Sequence, residues 1–214
     1  MQTKANGYRT VDLAADDGPL IESLVPLTVR AAAINSPRWL PDPERARAEI
    51  VTVAAGAGVC RALLAGEEAI GWAGAAPSAR TAWELHPLLV DPLRHGGGAG
   101  RCLVAELERL ASAAGALTME LSTSDATRAT TLGGKDLFAD PLGALARLEV
   151  LDPSRGHAFR FWQKVGYSVV GVLPDAEGEG VPSIRLAKSL GGARPNVPVV
   201  ASTSPTNPSP PRKS

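Results

Sequence analysis

Several residue types are scarce in this chain. Cysteine occurs twice and histidine three times in 214 residues. Cys60 and Cys102 fall in apolar segments, which suits buried free thiols in a reducing compartment better than a disulfide. Neither Cys102 nor His86 and His95 have the short paired spacing of a structural zinc site, so no metal is expected. Excess charge of one sign is also missing. The 22 Lys and Arg balance the 22 Asp and Glu, leaving no global field to recruit nucleic acid or an anionic membrane. No apolar run is long enough to span a bilayer, and Met1–Gly7 lacks the apolar core of a signal peptide. These absences together predict a soluble cytoplasmic protein that engages neither nucleic acid nor membrane.

What is present is enough apolar material, 44% of the chain, to bury the core of one domain over residues 1–190. From residue 191 the composition turns to Gly, Pro, Ser, Thr and Asn, and a disordered tail is expected over 191–214. Between these limits the patterns alternate. A short strand is read at Val11–Leu13, helices at Leu20–Ala33 and Pro43–Ala55, and a hairpin from Val59–Leu64 and Ala69–Ala75. A strand over Ala82–Val90, a helix over Gly100–Ala113 and a strand over Leu117–Ser122 follow. Ser124–Asp152 reads mostly as an inserted loop region with some helix. The chain then gives a helix from His157 ended by Gly166, and strands at Ser168–Leu173 and Ile184–Leu190. No internal repeat interrupts this order.

The most informative stretch runs from Trp83-Glu84-Leu85-His86-Pro87-Leu88-Leu89-Val90 into Asp91-Pro92-Leu93-Arg94-His95-Gly96-Gly97-Gly98-Ala99-Gly100-Arg101. An apolar strand enters a glycine-dense turn and a helix follows at once. Unpaired N–H groups and the positive end of a helix dipole therefore meet where a phosphate would be held. Glu84 and His86 lie two apart, so a strand projects them from one face, just upstream of that anion site. The turn lacks the Gly-Lys-Ser/Thr of a P-loop and the third glycine of a dinucleotide fingerprint. Val90, Pro92, His95, Gly98 and Gly100 instead fill a Val-x-Pro, basic-or-Gln, Gly-x-Gly pattern.

That pattern resembles the acetyl-CoA loop of the GCN5-related N-acetyltransferases, with His95 where Arg or Gln is usual. The segment His157–Tyr167 and the two strands after it look like the C-terminal half of the same superfamily. More narrowly, Trp-Glu-Leu-His-Pro-Leu-Leu-Val, Thr130-Thr131-Leu132, Asp136-Leu137-Phe138 and Val-Val-Gly-Val-Leu-Pro-Asp-Ala together resemble the aminoglycoside 6′-N-acetyltransferases. The likeness is continuous from Trp83 to Leu110, resumes in the later segment to Leu190, and is faint before Trp83. It implies an α/β (α+β) N-acetyltransferase fold: a mixed central sheet with helices on both faces and a splayed strand pair at the acetyl-CoA site. It also implies acetyl-CoA as co-substrate, an aminoglycoside antibiotic as acceptor, resistance as the consequence, and a homodimer.

Residue by residue, the resemblance implies that the Leu88 N–H polarises the thioester carbonyl and that the Val90 N–H pairs with the pantetheine amide. Pro87, which cannot donate within the strand, marks the bulge or splay that frees Leu88. Leu88, Leu89, Val90, Arg94, His95, Gly96, Gly97, Gly98, Ala99, Gly100, Arg101 and Trp162 would then hold the cofactor. Glu84 is the candidate to hold the acceptor ammonium and relay its proton. His86 would orient the acceptor or help stabilise the tetrahedral intermediate, or else simply pack. Trp162 stands where the superfamily usually has a tyrosine that protonates the thiolate. Either coenzyme A leaves as a solvated thiolate, the favoured reading, or Tyr167 takes over, or the transfer is slow. Asp125 and Asp136 are candidate acceptor contacts, Asp136 serving equally as a helix cap, and Thr127 stands where relatives carry another acid. Asp175, Glu177 and Glu179 form an acidic turn, and Trp39 or Trp72 is a candidate to stack on a sugar ring unless buried. Two rival readings remain at this stage: an acetyltransferase for a protein or polyamine amine, and a non-catalytic module that binds acetyl-CoA or the drug.

Overall fold

The computed structural model describes residues 4–5, 7–36, 38–154 and 157–191. The tail foreseen from residue 191 lies outside them, apart from Gly191. The chain forms strands β1 (Lys4–Ala5) and β2 (Tyr8–Asp12), helices α1 (Gly18–Asn35) and α2 (Pro43–Ala54), and strands β3 (Val59–Ala65), β4 (Glu68–Ala79) and β5 (Ala82–Val90). Helix α3 (Ala99–Ala113), β6 (Thr118–Ser124), α4 (Pro141–Ala146), α5 (Ala158–Lys164), β7 (Ser168–Leu173) and β8 (Ser183–Ser189) complete it. One eight-stranded sheet runs in the order β1-β2-β3-β4-β5-β6-β8-β7. Every neighbouring pair is antiparallel except β5 and β6. The expected order of elements holds. The first strand lies earlier than Val11–Leu13 because Tyr8 and Arg9 pair with Ala65 and Leu64, a partnership no local pattern announces.

Helices cover both faces. Leu24, Leu27 and Ile50 from α1 and α2 pack with Ala62, Trp72 and Leu89 on one face. Leu103 and Leu107 of α3 and Phe159 and Trp162 of α5 pack with Leu63, Ile70, Leu85 and Val90 on the other. The helix starts follow from sequence. The Asp17 carboxylate accepts the Leu20 N–H and that of Asp42 the Arg45 N–H, with proline in the first turn in both cases.

Strand β5 changes face midway. Ala73 pairs with Leu88 and Ala75 with Leu85, so His86 and Pro87 together oppose Gly74, a two-against-one bulge. In a regular strand Leu85 and Leu89, four residues apart, would share a face. Here Leu85 packs on the α3 side and Leu89 on the α1/α2 side. Glu84 before the bulge is therefore turned away from α3, as is His86 at its start, which meets Glu49 and Trp39, and after it Leu88 packs toward α3. Gly74 is needed at this point, because a Cβ there would lie 2.8 Å from the His86 carbonyl oxygen and 2.4 Å from Val53 Cγ1.

Candidate active site

The splay foreseen from Pro87 is present. Strands β5 and β6 pair only at Ala82↔Thr118, Trp83↔Met119 and Glu84↔Glu120. Beyond Glu84 they part, and β6 turns its ladder to β8 along its whole length. On the other edge of β5, the Asp91 N–H donates to the Ile70 carbonyl at 2.9 Å. Hydrogen bonding alternates along an antiparallel pair, so the Leu88 and Val90 amides point away from β4, into the gap. The Val90 carbonyl, directed the same way, is met by His95 Nε2 at 3.2 Å.

At the end of β5 a single 3₁₀ turn (Pro92–Arg94) leads to the glycines. Asp91 anchors it. Its buried carboxylate accepts the Leu93 N–H at 3.0 Å and pairs with Arg30 at 2.5 Å. Burial pushes this carboxyl up, but Arg30, the Leu93 amide and Arg94 more than offset that and hold it below its ordinary range. Gly96 and Gly98 adopt φ of +82° and +86°, a conformation other residues rarely take. Gly98 is the N-cap of α3 and supplies no side-chain acceptor, and no acidic residue stands in the first turn. The N-terminal amides of a 15-residue helix thus face the turn unblanketed. Gly97 and Gly100 make close approaches: a Cβ would lie 2.7 Å from Tyr8 Oη and 3.1 Å from Phe161 Cζ, respectively. This cradle fits an anionic diphosphate. Ala99 is buried inside α3, Arg94 is ion-paired with Glu68, and Arg101 is exposed on the first turn.

Glu84 and His86 are exposed, with the buried Leu85 between them. Glu84 is the last residue of β5 still paired with β6. His86 Nε2 lies 3.3 Å from Glu49 Oε1 of α2, and its ring stands 5.2 Å from that of half-buried Trp39. His86 is therefore not a packed core histidine. Neither Glu49 nor its pairing with His86 was foreseen, since 37 residues separate the two. Trp72 is excluded from sugar stacking: it is fully buried and donates from Nε1 to Thr28 Oγ1 at 2.8 Å.

The inserted segment behaves differently. Asp125, named as an acceptor contact, has no exposed surface. One of its oxygens accepts the Ala129 N–H at 2.7 Å and the other the Thr130 hydroxyl at 2.7 Å. It closes the loop instead of facing solvent. His157 completes this unit: Nε2 donates to the Ser124 carbonyl at 3.0 Å, and Nδ1 accepts the Phe159 N–H at 3.2 Å, capping α5. Accepting at Nδ1 requires the neutral ring with its proton on Nε2, and burial lowers its pKa against the opposing pull of Asp125 and Ser124. Asp136 is exposed and caps no helix; it accepts the Phe138 N–H at 3.0 Å in a local turn. In the acidic turn the Asp175 carboxylate bonds the Gly180 N–H at 2.7 Å.

In α5 the indole of Trp162 turns inward, 7% exposed, edge-on to Phe161 and Tyr167. Phe161 of this helix packs against Gly100 in the first turn of α3. Tyr167 is 2% exposed and its hydroxyl has no hydrogen-bond partner among the described residues. Burial above all, then Glu108, pushes its pKa up, so it is poorly placed to replace a missing acid. Among the described residues no group of three His, Cys, Asp or Glu is arranged to hold a metal, and no helix is long and apolar enough to cross a membrane.

The model of the acetyltransferase (GNAT) family matches residues 26–132, half of the chain. No curated protein sequence matches. Among solved structures, an aminoglycoside 6′-N-acetyltransferase complexed with coenzyme A is 29% identical with a TM-score of 0.74, over 87% of this chain and 99% of that one. The aminoglycoside 6′-N-acetyltransferase from Enterococcus faecium is also 29% identical, with a TM-score of 0.75 and the same coverage. A ribosomal-protein-alanine N-acetyltransferase from Brucella melitensis, 16% identical with a TM-score of 0.57 over 84% of this chain and 98% of that one, shares the fold.

Proposed function

The chain belongs to the acetyltransferase (GNAT) family of acetyl-CoA-dependent enzymes, and on that premise we propose that it acetylates the 6′-amine of aminoglycoside antibiotics. The observation that carries the reading is the place of Glu84: an exposed carboxylate at the point where β5 and β6 part. The two aminoglycoside 6′-N-acetyltransferases similar over nearly their whole length support the choice of acceptor.

Acetyl-CoA supplies the activated acyl group. The Gly96–Gly98 turn and the α3 N-terminus hold its diphosphate, with Arg94, His95 and Arg101 adding positive or hydrogen-bonding groups at the rim. The Leu88 N–H lies in the gap, where it stabilises negative charge on the thioester oxygen. The Val90 N–H, beside it, holds the pantetheine arm as an added strand. An alkyl ammonium, with a pKa of about 10, must shed a proton before it attacks. Glu84 holds the cation and takes that proton, directly or through water. Both substrates sit side by side, so proximity supplies much of the rate and no acyl-enzyme is required. With Trp162 in the core and Tyr167 sealed, coenzyme A leaves as the thiolate, which a thiol pKa of about 8.5 makes tolerable.

Acetylation removes a charge the antibiotic uses on ribosomal RNA, so resistance is the biological consequence of this reading, and a homodimer in the cytoplasm is its expected form. NMR of the product made from kanamycin A and acetyl-CoA tests the regiochemistry. The acetyl group is expected on the 6′ nitrogen; acetyl on any other nitrogen overturns it.

A further inference from the structure

His86 is held from the side. Glu49, midway along α2, approaches its Nε2 to 3.3 Å, and Trp39 from the α1–α2 connection packs against the ring at a 46° tilt. The Glu49 side chain is 22% exposed and that of His86 54%, so the pair lies at the mouth and not in the core. Glu84 lies two residues back on the same strand, and Gly74 of β4 approaches the His86 main chain across the ladder.

A carboxylate only accepts hydrogen bonds, so this contact puts the ring proton on Nε2. In the neutral imidazole Nδ1 is then a bare acceptor. The two roles open to His86 are thereby separated. To stabilise the thioester oxygen it would need a donor, and its one N–H is spent on Glu49. To orient an amine it needs an acceptor, which Nδ1 is. We propose that Glu49 is the positioning residue for His86, fixing the Nε2–H tautomer so that Nδ1 takes an N–H of the acceptor amine.

This inference rests on the N-acetyltransferase reading of the same gap. It assigns Glu84 and His86 complementary tasks: Glu84 receives the proton, and His86 aims the nitrogen lone pair at the carbonyl. Trp39 stops the ring from swinging out when Nδ1 is engaged. Glu49 itself touches neither substrate.

A double-mutant cycle tests it, with thiol release from acetyl-CoA and kanamycin as the readout. Glu49→Ala is expected to lower kcat/KM for the acceptor about tenfold and leave the KM for acetyl-CoA unchanged. Glu49→Gln, whose amide oxygen still accepts from Nε2, retains most of the activity. In a His86→Ala background Glu49→Ala has no further effect. Glu44→Gln, an acid on the same helix, serves as a neutral control. Independent losses in the cycle, or Glu49→Ala with unchanged kinetics, would overturn the proposal.

A second readout does not depend on the acceptor. With three histidines in the chain, the ring ¹⁵N signals of His86 are assignable by substitution. At alkaline pH the two nitrogens are expected far apart in wild type and Glu49→Gln, as one locked tautomer requires, and closer together in Glu49→Ala. Identical spectra in all three overturn the locking. Absence of turnover with every aminoglycoside overturns the choice of substrate alone, and the ¹⁵N spectra then decide whether Glu49 sets the tautomer.

Discussion

Two carboxylate–imidazole pairs stand among the described residues, and their surroundings set them apart. Glu49 and His86 meet at 3.3 Å with side chains 22% and 54% exposed. Asp125 and His157 lie 3.7 Å apart with side chains 0% and 2% exposed. In the open pair one ring nitrogen is engaged and the other is left for a ligand. In the sealed pair every polar atom of the ring is used by the chain's own backbone, and the carboxylate closes three further bonds. A carboxylate and an imidazole therefore form an open pair in one place and a structural joint in the other. The joint ties the inserted segment, through Ser124 and His157, to the start of α5.

Four substitutions or conditions sharpen that contrast. The largest effect is expected at the mouth: Glu84→Gln should lower kcat by about 10²-fold or more while leaving the thermal melt unchanged, because the side chain is exposed. A melt that falls along with the rate would make Glu84 a structural residue. At the joint the pattern reverses. Asp125→Ala leaves two buried donors of Thr130 and the half-buried Ala129 N–H without this partner and should cost about 2–4 kcal/mol in urea unfolding. Activity per folded molecule should then be nearly retained; lost activity at unchanged stability would return Asp125 to the acceptor site.

The third test is pH. Burial lowers the His157 pKa below its ordinary 6.5, so below that pH the unfolded chain binds a proton that the folded chain refuses. Stability is full above about 6.5 and falls as the pH drops toward the depressed folded value. The urea midpoint should decline over that window in wild type and decline less in His157→Gln, which has no proton to gain; parallel curves would contradict the burial argument. The smallest effect is expected at the glycine turn. Gly98→Ala forces a side chain into φ of +86°, at about 1 kcal/mol of strain, and should weaken coenzyme A binding in calorimetry by several-fold. Unchanged affinity would mean that this turn does not set the cradle.

The same contrast explains what could be read from the sequence. The donor side is made of local signals. Glycines at positive φ, a proline that cannot donate and a helix that starts at once all lie within 20 residues, and the turn and α3 stand where they were expected. The bulge was legible at Pro87, but the reversal of faces was not, because it depends on Gly74 across the ladder. The two carboxylate–imidazole pairs are made of distant contacts. Glu49 meets His86 across 37 residues and His157 meets Ser124 across 33, and nothing near Asp125 in sequence says that it will be buried. Trp162 could be matched to a tyrosine position, but that its ring turns inward and leaves Phe161 at the turn follows from how α5 packs on Tyr167.

The most direct test of the whole account is thiol release from acetyl-CoA by the purified protein, with aminoglycosides that carry a 6′-amine and matched ones that carry a 6′-hydroxyl. Release is expected with the amines only. Equal release with both classes, or none with either from a protein that still binds acetyl-CoA, would contradict it and direct attention to peptide amines.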